Sequence, residues 1–195
     1  MLSNYCRDLG DALLQKLNLY LARLGAQTWM MNIFGIVSIV GSVYFLIKYK
    51  VIIALILLCI NHVFDYMDSG IDRARRDFGK HSFRYRRIFH ITTDKLSEII
   101  FFSGLALGGY VYWKHALLAI STCLAITIVG RWVNYKRVFD LNQSLFDRAD
   151  RLFVLLGFIW TGYNILGTVL ISLMNIAGII QRLIALLRVK TPKII

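Results

Sequence analysis

The sequence predicts an all-α integral membrane protein, six transmembrane helices preceded by an amphipathic interfacial helix, and three observations carry that expectation. With 57% hydrophobic residues, a mean hydropathy of +0.60 and one proline in 195 residues, the chain is too apolar for a soluble domain of its size. Its apolar residues gather in runs close to the roughly 20 residues that cross a bilayer. The net charge of +12 falls between those runs, in several short segments. Residues 1–195 read as a single membrane domain, with a surface helix over 1–26 and a six-helix bundle over 27–190.

From Leu2 to Leu24, Leu13, Leu14, Leu17, Leu19, Tyr20, Leu21 and Leu24 recur at helical spacing, with Arg7, Asp8, Asp11, Lys16 and Arg23 mostly opposite. This pattern describes a helix lying on a membrane surface. No cleavable signal peptide is expected ahead of it. Thr28 to Ile47 follows without a charge, long enough to cross, and Lys48 and Lys50 end it.

Val51 to Phe64 is uncharged but too short to cross alone, so the second span is expected to run on through Asp65 and Asp68. The third span is likewise short: Ile99 to Trp113 is uncharged, and its missing turns must come from His90, Asp94 and Glu98. A fourth span is expected over His115 to Gly130, and a fifth from near Arg151. Leu152 to Ile180 is too long for one helix, with the turn at Gly162, Tyr163 and Asn164.

Most Lys and Arg lie after spans two and four and at the C-terminal end, so the positive-inside rule makes both termini and the acidic residues cytoplasmic. Small residues recur on the first span (Gly35, Ser38, Gly41, Ser42) and the third (Ser103, Gly104, Gly108, Gly109), which permits close helix packing, and a homodimer as well. The divided charge argues against nucleic acid and for anionic lipid or a phosphorylated substrate. Three cysteines, two in apolar runs, give no disulfide framework.

The chemistry concentrates in 65–98. A carboxylate at mid-bilayer costs about 2.5 to 3.5 kcal/mol on insertion scales, so acids carried to membrane depth call for a partner. Asp65, Asp68 and Asp72 are spaced three and four apart and share one helix face, as do His90, Asp94 and Glu98. Oxygen ligands on two facing helices suit a hard divalent cation, Mg²⁺ or Mn²⁺. Arg73, Arg75, Arg76, Lys80, Arg84, Arg86 and Arg87 surround them and can hold a pyrophosphate. Plainer readings stand beside these: a solvated, ion-paired helix end for the three aspartates, an interfacial histidine for His90, and a helix N-cap or first-turn acid for Asp94 after Thr92 and Thr93.

Asp65, Asp68 and Arg73 with Asp94 resemble a divergent copy of the CDP-alcohol phosphotransferase motif, DxxDGxxAR followed by GxxxDxxxD. Ser69 stands at the motif's first glycine and Asp72 at its alanine. With Asp94 as the last acid, His90 takes the third acid's place and Arg86 the second glycine's; a second register makes Asp94 the third acid and Glu98 the last. LARLGAQTWMMNIFG also resembles the family's passage into its first span, with Thr28-Trp29 where Pro-Asn is usual. Arg148, Ala149, Asp150 and Arg151 resemble its entry to the fifth span, and Gln181-Arg182 the end of the sixth.

The resemblance implies transfer of a phosphatidyl-type group from a CDP-linked lipid to an alcohol, with release of CMP, at the cytoplasmic face. It implies metal ligation by Asp65, Asp68, His90 and Asp94 and a catalytic base at Asp94. It also implies substrate contacts from Ser69, Asp72, Arg73, Glu98, Arg148 and Arg151. Two rival readings remain open: an inactive, lipid-binding member of the same fold, and a small ion- or proton-coupled transporter. The second would more often show a broken helix or an inverted repeat, and neither is visible in the sequence.

Overall fold

The computed structural model describes residues 14–79, 86–135 and 148–189. It divides into two compact units, Met1–Gly108 and Gly109–Ile195. The first unit holds α1 (residues 14–23), α2 (Thr28–Ile47), α3 (Val51–Asp77) and α4 (Arg86–Leu107).

In α1, Leu14 and Leu21 pack on a core of Met31, Met67 and Ile71, while Leu17, Tyr20 and, just past its end, Leu24 stay exposed. The surface helix is therefore apolar on two sides, one docked on the bundle and one free to enter a lipid interface. α2 has the expected bounds and packs against both α3 and α4. Its exposed Ile33, Phe34, Val37, Val40 and Tyr44 form an apolar side that suits lipid.

Gly35, Gly41, Ser42 and Gly104 do the packing expected of them, whereas Gly109 has nothing within 4 Å of a Cβ. A Cβ on Gly35 would lie 3.2 Å from Asn61 Nδ2, which donates to Gly35 O at 2.8 Å. Ser42 Oγ donates to Ala54 O at 2.8 Å. A Cβ on Gly104 would meet Val43 at 2.5 Å, so α2 and α4 touch where only glycine fits.

α3 runs unbroken through Asp65, Asp68 and Asp72 to Asp77, as its apolar deficit requires. α4 ends at Leu107, short of Trp113: Gly109, at φ 74°, turns the chain, and Trp113 opens the next helix. The third apolar run is thus divided between two helices. Asp94 is the ninth residue of α4, which overturns the N-cap and first-turn readings of it.

The second unit holds α5 (Trp113–Tyr135), α6 (Arg148–Thr161) and α7 (Asn164–Val189), with α7 against both others. The chain reverses at Gly162, φ 79°, where the sequence places the turn. Fully buried Asn175 donates to Thr122 Oγ1 and to Cys123 Sγ, each at 3.2 Å. A Cβ on Gly178 would meet Ile126 at 2.8 Å.

Four helical segments, Thr28–Ile47, Val51–Asp77, Trp113–Val133 and Asn164–Leu187, are long and apolar enough to cross a membrane, and the chain is an integral membrane protein. α4 carries His90, Asp94, Lys95 and Glu98 between its fifth and thirteenth residues, and the 14 residues of α6 extend only about 21 Å at 1.5 Å per residue.

Candidate active site at the polar ends of α3 and α4

The continuity of α3 places three aspartates one turn apart on a single face. Asp68 is 0% exposed, Asp72 1%, and Asp65 is half-buried. The first turn of α4 faces them with Arg86 and, one turn on, His90.

Arg86 Nη1 donates to Asp72 Oδ2 at 2.8 Å, and Arg86 Nε lies 3.5 Å from Asp68 Oδ1. His90 Nδ1 lies 3.1 Å from Asp68 Oδ2 and 3.6 Å from Asp65 Oδ1. Arg76, on α3, approaches Asp72 Oδ2 at 3.1 Å from the solvent side. These contacts stop at ion-pair range for Asp68. Among the described residues, both its oxygens, Arg86 Nε and His90 Nδ1 are buried without a hydrogen bond. A fully buried carboxylate in that condition is costly unless a cation compensates it.

Asp65, Asp68 and His90 therefore converge, two carboxylates and an imidazole of the kinds that ligate divalent cations, with Asp94 one turn beyond His90 on the same face. Among the described residues, no group of three or more His, Cys, Asp or Glu side chains is placed so that it could hold a metal ion. Glu98 is drawn elsewhere: Lys95 Nζ donates to Glu98 Oε2 at 2.6 Å and lies 3.7 Å from Asp94 Oδ2. Of the two registers, the structure brings His90 to the aspartates and leaves Glu98 on Lys95. Thr93 Oγ1, donating to Asn32 Oδ1 at 3.3 Å, ties this turn of α4 to α2.

The position of Ser69 at the motif's glycine has a local explanation. Its hydroxyl donates back to Tyr66 O at 2.9 Å, within its own helix, and the close approach falls instead to the next residue, Gly70. A Cβ there would lie 2.1 Å from Asn18 Nδ2 on α1. Beside this contact a cavity of about 350 Å³ is lined by Gln15, Asn18, Gly70, Arg73 and Asp77 among others. Asn18 is buried, and its Oδ1 has no hydrogen-bond partner among the described residues. Sequence reasoning missed it; the available signal was one polar residue flanked by Leu17 and Leu19 in a helix otherwise sorted into two faces.

The other basic residues divide by task. Arg75 Nη1 donates to Ala26 O at 3.1 Å, anchoring the end of α3 to the loop before α2. Lys80 and Arg84 lie outside the described residues, as does the side chain of Arg87. In the second unit Arg148 opens α6, with its side chain outside the description. Arg151 donates through Nη1 to Asn175 Oδ1, so part of its guanidinium serves the packing of α6 on α7.

No model of a known protein family matches the chain. It is 27% identical over 180 residues to the archaetidylinositol phosphate synthase of Pyrococcus horikoshii, covering 87% of this chain and 88% of that one. It is 24% identical over 192 residues to an uncharacterized protein of Aquifex aeolicus, with 93% of each chain covered. Among solved structures it resembles the Mycobacterium tuberculosis phosphatidylinositol phosphate synthase with CDP-DAG bound: TM-score 0.72, 18% identity, 89% of this chain and 93% of that one. The same enzyme in complex with manganese and citrate gives a TM-score of 0.71 at 18% identity, with 88% and 87% covered. At that identity the structures show a shared fold. Together with the relative similar along most of its length, they bear out the resemblance to the CDP-alcohol phosphotransferase family.

Proposed function

We propose that this chain transfers a phosphatidyl-type group from a CDP-linked lipid to an alcohol acceptor and releases CMP, as its likeness to two inositol-phosphate lipid synthases suggests. The observation that carries the reading is the convergence of Asp65, Asp68 and His90, with Asp68 fully buried and met, among the described residues, by Arg86 and His90 at ion-pair distances. Asp65, Asp68 and His90, with Asp94, would hold the divalent cation, Mg²⁺ or Mn²⁺; the related enzyme was crystallised with manganese. When bound, such a cation supplies charge neutralisation at the donor's pyrophosphate.

The chain's own residues do the rest. Arg73, on the wall of the cavity beside Asn18, binds CDP phosphates there. Asp94 accepts the proton of the acceptor hydroxyl. The hydroxyl oxygen forms its bond to the lipid-side phosphorus as that phosphorus loses its bond to the bridging oxygen, which leaves with CMP. Lys95 Nζ lies 3.7 Å from Asp94 Oδ2, beside the carboxylate proposed as the base.

Six crossings, with α4 and α6 completing the bundle, would put both termini and this site on the cytoplasmic side, where lipid and soluble substrates meet. Ser69 and Asp72 would then border the donor, Arg148 and Arg151 would receive a phosphorylated acceptor, and small-residue faces would allow a homodimer. Incubating purified protein with divalent metal, CDP-diacylglycerol or its ether-lipid analogue, and a panel including inositol phosphate and glycerol phosphate tests this. CMP release with a phosphorylated acceptor is expected. Release with unphosphorylated alcohols alone refutes the acceptor assignment, and no release with any acceptor favours the inactive, lipid-binding reading.

A further inference from the structure

We propose that Arg86 is a resident cation of the acidic site, occupying with its guanidinium a position that would otherwise take metal charge, so that the cluster binds a single divalent ion. The inference rests on the phosphotransferase reading for its context but on geometry for its content. Two positions depart from the motif by gaining charge, Asp72 and Arg86, and they are bonded to each other across α3 and α4 at 2.8 Å. Paired substitutions of opposite sign conserve the site's charge, whereas either alone would leave a buried ion.

The reach of the guanidinium extends past Asp72. Nε faces Asp68 Oδ1 at 3.5 Å, while the other oxygen of Asp68 faces His90. One edge of Asp68 is thereby given to a fixed cation, and only the edge shared with Asp65 and His90 remains for an added ion. Arg76 adds a second positive charge at Asp72. With Asp94 counted, the four aspartates bring four negative charges and the two arginines two positive ones, so one divalent ion already balances the set, and a second would overcompensate it and meet the guanidinium at close range. Because the Arg86 side chain is 27% exposed, N–H groups not spent on Asp72 can turn to the donor's pyrophosphate, as arginine commonly does.

The test is Mn²⁺ binding by the purified protein without lipid substrate, read from the loss of the free-ion electron paramagnetic resonance signal. Wild type is expected to bind one Mn²⁺, and Arg86→Gly with Asp72→Ala two. Arg86→Gln, which keeps the side chain's bulk without its charge, is expected to raise Mn²⁺ affinity at least tenfold, and Arg86→Lys to behave as wild type. The Gln variant carries the test if the double variant does not fold. The proposal is overturned if wild type binds no Mn²⁺ or two, or if neutralising Arg86 changes neither stoichiometry nor affinity. CMP release measured on the same samples separates the two claims: the change in stoichiometry or affinity without turnover keeps this inference and sinks the enzyme reading, and turnover with both unchanged does the reverse.

Discussion

Arg86 Nη1 and Asp72 Oδ2 lie 2.8 Å apart, joining the first residue of α4 to a carboxylate that is 1% exposed on α3. Removing the arginine alone strands that carboxylate and Asp68 in a buried site. Because Arg86 is partly exposed and Arg76 still reaches Asp72, the expected cost of Arg86→Ala is about 2 kcal/mol, below that of breaking a fully buried pair. Adding Asp72→Ala should recover at least half of it. Thermal unfolding in detergent checks both, and a double variant less stable than the single would contradict the pairing.

Gly70 is the point where α1 rests on α3. Gly70→Ala puts a methyl group into Asn18 and should cost about 1 kcal/mol, since the Asn18 side chain can rotate only by leaving a buried place. Asn18→Ala in the same chain should relieve it. The readouts are unfolding temperature and cytidine-nucleotide affinity, because the displaced Asn18 lines the cavity that holds Arg73.

Much of this was legible in the sequence. The shortage of apolar residues after Val51 required α3 to carry Asp65 and Asp68 inward, and it does; Thr28, Ile47 and Gly162 marked their boundaries correctly. The end of the third run at Trp113 was misjudged because hydropathy does not see the glycine turn that lets a helix stop inside an apolar stretch. The pairing of Arg86 with Asp72 was hidden for another reason. Fourteen residues and a change of helix separate them, and α2, packed on both α3 and α4, ties the two helices together.

His90 and Glu98 competed for one role, and their neighbours now give them different fates. His90→Ala should lower Mn²⁺ affinity and CMP release by at least roughly tenfold to a hundredfold, since a proposed ligand should cost no less than the partners that only orient ligands. Glu98→Gln should change either by less than about threefold, since Glu98 is committed to Lys95 at 2.6 Å. Initial rates of CMP release decide between them, and the opposite ranking would restore the second register.

In the second unit, Asn175 holds α5, α6 and α7 through Thr122, Cys123 and Arg151. Asn175→Leu leaves the Arg151 guanidinium without its amide partner and should cost about 1 to 3 kcal/mol, the range for a buried polar group left unmatched. Asn175→Asp, which retains an acceptor for Arg151, should cost less. Unfolding in detergent checks the order of the two.

The most direct measurement is CMP release from a CDP-linked lipid by purified protein, compared with Asp68→Asn and Asp94→Asn and repeated after chelation of divalent metal. The account predicts turnover that falls about 10² to 10⁴-fold in Asp94→Asn, the span of general-base catalysis, and that is abolished by chelation. Turnover equal in wild type and both variants, or insensitive to chelation, would contradict it.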